Sequence, residues 1–565
     1  MATYDTIIAG GMVVDGTGAQ RARADVGIKD GRIAAVGRLD HAEADEILDA
    51  SGLIVAPGHV DLHTHYDAQL FWDPYCTLSG WHGVTSVVIG NCGFGFAPVR
   101  PEDRDRAMLT MTRTEAIPYD AMAAGLPWDW VSYPEFLASV ERTPKSVNVR
   151  AFVPLNPLLN WVLGAERAKA GELPTDAEHQ QMRLLLNEAM DAGAGGFSVQ
   201  RLRTFNVQRD HDGAPMNTDV MHTETLFELA AVLAERNQGF IQATFAPEAG
   251  DPTGHRVLFE QLADISGRPV LFNVVTPNSL RPEQHKNSLA WLDDCRRRGL
   301  PIYGQANTTD AGFSFTFEDW NLWDDVDAWR EATTGTLAER LAKLADPARR
   351  PALRAAGETN VVTGPLNEIV LLETNDPRYK KFVETQIGDI AANLGVHPID
   401  AMLDIAVADG LSTLFYARST NSEHQHFVDL LDYHWALPGV SDGGAHTRFL
   451  TAGRWPTELL IRGVRDNEVI TLEEAHWRMA ALPARCAGFT DRGTLTPGAA
   501  ADVIVYDLDA LSIGPSERVN DLPADEWRRV QRAHGYRYVL VNGQVTITED
   551  KETGVASGRL LRDHA

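Results

Sequence analysis

The chain has 565 residues, 44% of them hydrophobic and 23% charged, enough apolar sequence for one large core with a satellite domain. A formal net charge of −27 argues against nucleic acid or an anionic membrane as a partner. With no basic-then-apolar start, no run of about 18 apolar residues and only four cysteines, the expectation is a cytoplasmic enzyme acting on a small molecule, without disulfides; a homo-oligomer stays open.

Residues 4–55 alternate short apolar strands with the turn signals Asp15-Gly16, Asp30-Gly31 and Ser51-Gly52, which predicts an all-β segment. Leu53 to Val55 leads through Pro57-Gly58 into a second short strand, Val60 to Leu62. Val84 to Ile89 and Val149 to Val153 read as further strands. Four helix–strand units follow. Their helices are His179–Ala192, Thr225–Glu235, Arg256–Ile265 and Leu289–Arg298; their strands are Gly195–Val199, Phe240–Phe245, Val270–Val275 and Ile302–Gln305. Such units predict a parallel sheet with right-handed crossovers. With the strand before Asp442 the count is eight, which predicts a (β/α)8 barrel over residues 57–487. Residues 498–550 return to strands, Ala501 to Tyr506 and Tyr538 to Val541, with the hairpin signal Asn542-Gly543. The two β segments, 1–56 and 488–565, are expected to pair into one small sandwich.

Candidate chemistry falls at the C-terminal ends of these strands, where such barrels place it. His63 and His65 leave one strand end at i and i+2, so both imidazoles point the same way, as neighbouring ligands of a divalent metal must. Ser441-Asp-Gly-Gly-Ala-His446 adds a carboxylate and a histidine at another strand end, and imidazole with carboxylate is a zinc-type donor set. Cys92, in Gly90-Asn-Cys-Gly93, reads either as a thiolate ligand or as a small residue in a tight turn. Cys76, Cys295 and Cys486 read as ordinary free thiols. Arg201 and Arg203 could clamp a carboxylate or stand solvated beside Asp210 and Asp212. Aromatic-rich insertions near 113–140 and 306–332, with Trp128, Trp130, Phe136, Phe315, Phe317, Trp320, Trp323 and Trp329, either roof a pocket or pack as core.

These motifs resemble the amidohydrolase superfamily, and within it the N-acyl-D-amino-acid deacylase (D-aminoacylase) family. The resemblance runs from Ile7-Ile-Ala-Gly-Gly through Pro57-to-Asp67, His82-to-Gly93, Gly195-Gly-Phe-Ser198 and Ser441-to-His446 to Asp491-Arg-Gly-Thr-Leu-Thr-Pro-Gly498 and Ala501-to-Asp507. It implies the same barrel with a sandwich built from both termini, and a metal-dependent hydrolase. No lysine follows a strand-like run to serve as a carbamylated bridge, and Cys92 matches the cysteine that takes this role in D-aminoacylases. The chain departs from the family where two further histidine ligands belong, on the fifth and sixth strands: Gln242, Thr244 and Asn273 stand there. Neutral amides bind zinc poorly. One ion, Zn2+ or another divalent metal, is therefore expected on His63, His65 and Asp442, with Cys92 as a further candidate ligand. His446 is the best further candidate ligand, His211 and His222 are weaker ones, and Gln242 and Asn273 are left as substrate contacts.

A Lewis-acidic ion lowers the pKa of water and polarises a carbonyl. Asp442 could accept the water's proton and pass it to a leaving nitrogen, a step an amide requires. The expectation is deacylation of an N-acyl amino acid or a related amide. Alternatives are a cyclic-amide hydrolase of the hydantoin or dihydropyrimidine type, a lactonase or esterase on the same fold, or, in another class, a metal-free barrel that binds a small molecule.

Overall fold

The computed structural model describes residues 3–203, 208–246, 251, 253–278, 281–318, 322–357, 359–360, 364–420, 423–449 and 452–562. Both ends of the chain lie in one nine-stranded sheet. Its order runs Lys551–Glu552, Gln544–Thr548, Tyr536–Val541, Val503–Tyr506, Ile54–Pro57, Tyr4–Val13, Ala22–Lys29 and Arg32–Gly37, with Ala44–Asp49 also paired to Tyr4–Val13. Val503–Tyr506 is antiparallel to Ile54–Pro57, with Val505 opposite Val55. Successive side chains of a strand face opposite ways, and this strand serves two cores. Val503 and Val505 pack with Ile8, Val26 and Leu540, while Ile504 and Tyr506 pack with Trp455, Leu472 and Met479.

Ile54–Pro57 runs on through Gly58 into His59–Asp61, the first of the parallel strands. His59–Asp61, Val84–Ile89 and Asn148–Ala151 form one parallel sheet. Val153–Pro154, Gly196–Arg201, Phe240–Phe245, Val270–Val275, Ile302–Ala306 and Leu437–Pro438 form another. Phe152 alone separates Asn148–Ala151 from Val153–Pro154, and a parallel bridge between Thr64 and Gly443 joins the segments that follow the first and last strands. The crossover helices are Asp176–Asp191, Thr223–Arg236, Gly254–Ser266 and Gln284–Arg297. The first opens with a capping box in which Thr175 and Glu178 satisfy each other's backbone N–H. Among the described residues no single helix is long and apolar enough to cross a membrane.

The aromatic stretches resolve as packing. Between Ile302–Ala306 and Leu437–Pro438 stands an insert far longer than 306–332. Its four-stranded antiparallel sheet is ordered Ala311–Phe315, Leu414–Thr420, Val370–Glu373 and Thr385–Gln386, with the helices Asp327–Thr333, Leu337–Ala345, Arg350–Gly357, Ile387–Leu394 and Pro398–Ala408. Phe315, Phe317, Trp323 and Trp329 are buried in its own core with Ile399, Met402 and Phe415, and the two tryptophans stack with centroids 4.6 Å apart. There they bury the insert's own faces; Trp320 lies outside the described residues. In the earlier stretch Trp130 is buried and donates its indole N–H to the Phe96 carbonyl at 2.8 Å, stacking on Phe71.

The insert also grips two loops that reach the strand ends. Arg113, on the helix Arg104–Thr114, forms a buried ion pair with Asp324 at 2.5 Å and donates to the Thr333 carbonyl at 3.2 Å. Ala116 and Phe449 belong to the insert's core, and Ser314 N–H donates to the Phe449 carbonyl at 3.0 Å.

Candidate metal centre

His63 and His65 directly follow the strand His59–Asp61 and are fully buried. The backbone fixes them. Asp61 accepts from His63 N–H at 3.2 Å, Ser441 Oγ donates to the His63 carbonyl at 3.1 Å, and His65 N–H donates to the Gly443 carbonyl at 2.6 Å. This close docking explains Gly443 and Gly444: a Cβ would come within 2.4 Å of the Tyr66 hydroxyl oxygen and 2.5 Å of the His65 carbonyl oxygen.

Two loops and a strand bring polar groups to these imidazoles. Asp442 Oδ1 lies 3.4 Å from His63 Nε2 and 3.9 Å from His65 Nε2. Cys92 Sγ lies 3.3 Å from His63 Nε2. Ligand atoms of His63, His65 and Cys92 all fall within 4.8 Å of one another. The other ring nitrogen of His63, Nδ1, is 3.2 Å from Gln305 Oε1. An N–H donated to that carbonyl oxygen leaves Nε2 with its lone pair toward the cluster, the arrangement a metal-binding histidine uses. Cys92, Asp442 and His446 adopt left-handed backbone conformations, with φ of 55°, 46° and 51°. Side chains other than glycine occupy that region at a cost.

Glu115 is a second carboxylate at these imidazoles and is completely buried. Its Oε2 is 3.1 Å from His446 Nε2 and 3.8 Å from His65 Nε2. Burial alone would raise its pKa, but the imidazoles of His65, His446 and His63 pull it down to about 2. Burial works against protonation of His446, yet Glu115 raises its pKa overall. Burial holds His65 below the usual histidine range against the pull of Glu115 and Asp442. It also pushes the Cys92 thiol up and Asp67, which accepts Gly90 N–H at 3.0 Å, to about 6.

The amides in the places of the absent histidines form a neutral network. Gln242 Oε1 accepts Cys92 N–H at 2.6 Å, and Gln242 Nε2 and Asn273 Nδ2 both donate to Thr244 Oγ1, at 3.0 and 3.1 Å. Thr244 Oγ1 lies 3.3 Å from Cys92 Sγ. Pairing in register aligns Gln200, Thr244, Asn273 and Gln305 across four neighbouring strands. Arg201 and Arg203 stand elsewhere, lining a cavity with Thr223, Phe245, Asp251 and His255; Arg201 donates to Thr223 Oγ1 at 2.8 Å. His211 pairs with Asp210 at 3.0 Å, and the exposed His222 contacts the Gly171 carbonyl at 3.0 Å, so neither joins the cluster. Cys76, Cys295 and Cys486 are buried free thiols.

A family model described as "Amidohydrolase family" matches residues 46–547 of this chain. The chain belongs to the amidohydrolase family. This amidohydrolase is 28% identical over 565 residues to an N-acyl-D-glutamate deacylase of Alcaligenes xylosoxydans xylosoxydans, covering 99% of this chain and 97% of the relative. It is 27% identical over 560 residues to a D-aminoacylase of the same organism, with 99% and 97% covered. Among solved structures, the N-acyl-D-glutamate deacylase from Bordetella bronchiseptica, complexed with zinc and a phosphonate inhibitor, aligns with a TM-score of 0.67 at 26% identity, covering 99% of this chain and 100% of that one. A D-aminoacylase structure aligns with the same TM-score, 0.67, at 22% identity.

Sequence reasoning overlooked Glu115 and Gln305. Gln305 ends a strand beside Asn273 and could have been found from the polar row. No local signal marks Glu115, which follows the helix Arg104–Thr114 and meets His446 and His65 from distant parts of the chain.

Proposed function

We propose that this amidohydrolase removes the acyl group from an N-acyl amino acid, using one zinc ion held by His63, His65, Asp442 and Cys92. It is a metal-dependent hydrolase of C–N bonds outside peptides. The parallel strands are read as a closed eight-stranded (β/α)8 barrel, because Phe152 and the Thr64–Gly443 bridge connect the two parallel sheets at both edges. The observation that carries the functional reading is the convergence of two imidazoles, a carboxylate and a thiol from three separate strand ends: the ligand atoms of His63, His65 and Cys92 lie within 4.8 Å of one another, and Asp442 Oδ1 stands 3.4 Å from His63 Nε2 and 3.9 Å from His65 Nε2. Donors about 2.0–2.3 Å from one ion are spaced roughly 3–4 Å apart, so the residues fit a divalent ion.

A bound divalent ion supplies Lewis acidity, which activates water and polarises the amide carbonyl. The protein's own residues do the rest. Asp442 keeps part of its side chain exposed, so it faces the space where water and substrate arrive. It takes the proton from the attacking water and returns it to the nitrogen, which must leave as an amine. Gln305 fixes the His63 tautomer and Gln242 fixes the Cys92 loop. Asn273 Oδ1 is buried without a donor and is placed to accept an N–H of the substrate. The cavity lined by Asn273 shares Phe245 and His255 with the one lined by Arg201 and Arg203. Those two guanidiniums are therefore assigned to the carboxylate of a small-molecule substrate.

The test is elemental analysis of the gently purified protein, with hydrolysis of a panel of N-acyl-D- and N-acyl-L-amino acids before and after adding zinc. One equivalent of divalent ion and turnover of linear N-acyl substrates are expected. A protein without metal and without activity after zinc addition is a binder, and turnover of cyclic amides or lactones alone overturns the deacylase assignment.

A further inference from the structure

The acid most deeply buried at the site is unused by the mechanism above. The helix Arg104–Thr114 ends at Glu115, whose N–H still bonds to the Met111 carbonyl, and the chain then turns away through Ala116 at φ 49°. The Glu115 carbonyl accepts His446 N–H at 2.6 Å, which locks the two loops together at the backbone. The carboxylate has 0% exposure, and neither oxygen receives a backbone or hydroxyl donor. Its contacts are imidazoles, His446 at 3.1 Å and His65 at 3.8 Å.

Two features make an anion at this place costly. Removing a carboxylate from water without hydrogen-bond donors is strongly unfavourable. The C-terminal end of an eleven-residue helix also presents its own unsatisfied carbonyls, so the local helix potential is negative. A cation must offset both. His65, whose ring belongs to the donor set with His63 and Cys92, has its Nε2 between two carboxylates, with Asp442 Oδ1 at 3.9 Å and Glu115 Oε2 at 3.8 Å. Both spacings match donors that share an ion.

We propose that Glu115 is a ligand of the same metal ion, joining the set from the His65 end as Cys92 joins it from the His63 end, with His446 as the residue that positions its carboxylate. The proposal rests on the metal-dependent reading of the site. It explains how this chain keeps an anionic ligand set although glutamine, threonine and asparagine occupy the strand ends at 242, 244 and 273. It also gives a role to the ion pair with His446, which holds the carboxylate rotamer so that one oxygen faces His65.

The experiment measures zinc affinity of the chelator-stripped full-length protein by competition with a chromophoric chelator, and the visible spectrum of the cobalt(II)-loaded form, for wild type, Glu115→Gln, Glu115→Asp and His446→Gln. Glu115→Gln is expected to weaken zinc binding at least tenfold, to change the cobalt(II) spectrum, and to shrink the rise in melting temperature that zinc gives the wild type. Glu115→Asp should recover part of each effect. His446→Gln should weaken zinc three- to tenfold without abolishing it. Wild-type zinc affinity in Glu115→Gln overturns the proposal whatever happens to turnover. Should that variant fail to fold, wild-type affinity in His446→Gln overturns it instead. A wild-type protein that takes up no ion brings down the metal-dependent reading as well, which separates the two failures.

Discussion

The two sides of the strand-end rim are built from opposite chemistry. On one side, His63, His65, Asp442, Glu115 and His446 pack four titratable carboxylate–imidazole contacts between 3.1 and 3.9 Å. On the other, Gln242, Thr244 and Asn273 share neutral hydrogen bonds of 3.0 and 3.1 Å around one hydroxyl. Cys92 sits at the boundary and touches both, through His63 and through Thr244. The charged side offers imidazole and carboxylate donors to an ion. The neutral side leaves only Asn273 Oδ1 of this trio without a donor, and Gln242 holds the backbone of the thiol-bearing Cys92.

The largest effect should come from breaking the charged side. His63→Ala or His65→Ala is expected to remove the ion and to lower kcat/KM by on the order of 10⁴-fold, with circular dichroism unchanged, because the ion is lost together with its orienting ligands. Normal turnover in either variant would place the chemistry elsewhere. Next comes Asp442→Asn, which keeps the shape but cannot accept a proton. A fall in kcat on the order of 10³-fold is expected, and a loss under tenfold would make Asp442 structural.

The neutral side can be converted. Gln242→His combined with Asn273→His places two imidazoles near Cys92, and elemental analysis should rise from one zinc per chain toward two. An unchanged ratio of one would show that the neutral side lacks room for an ion rather than lacking ligands.

The smallest effect serves as a control on a region with no metal role. His59, His82 and His476 are buried where the terminal sheet meets the parallel strands; His59 stacks on His476, and His476 contacts the Tyr506 hydroxyl at 2.7 Å. Burial lowers His82 to about 4 and His476 to about 3. Their folded pKa values lie below the unfolded value near 6.5, so the unfolded chain takes up protons first as pH falls. Stability is therefore complete above about pH 6.5 and declines below it, by about 1.4 kcal/mol per pH unit for each histidine until the folded pKa is reached. Chemical denaturation of the metal-free protein between pH 7 and 5 checks this, and a flat profile would refute it.

Much of this architecture is legible in the sequence where the signals are local. Phe240–Phe245 and Val270–Val275 have the bounds that their apolar runs predict, since Gly239 and Pro269 punctuate them. His63 and His65 declare themselves by strand spacing. What stays hidden depends on partners far along the chain. Ala311–Phe315 becomes a strand by pairing with Leu414–Thr420 about a hundred residues later, and its aromatics suggest a pocket roof until that sheet exists to bury them. Glu115 looks like any acid ending a helix; its burial against His446 and His65 depends on residues far away in the sequence. Arg201 and Arg203 form a pair legible in the sequence, and the fold sets them in a cavity that shares Phe245 and His255 with the one lined by Asn273.

The grip of the insert on Arg113, Ala116 and Phe449 has a consequence for how the protein tolerates change. The loops carrying Glu115 and His446 are braced from the far side by an apolar interior that never touches the reacting atoms. Loosening that interior, for instance by truncating Trp323 or Trp329, lets both loops drift while the parallel strands stay folded. Catalytic failure would then precede global melting on warming, and damage among the insert's tryptophans would register first as leakage of the ion.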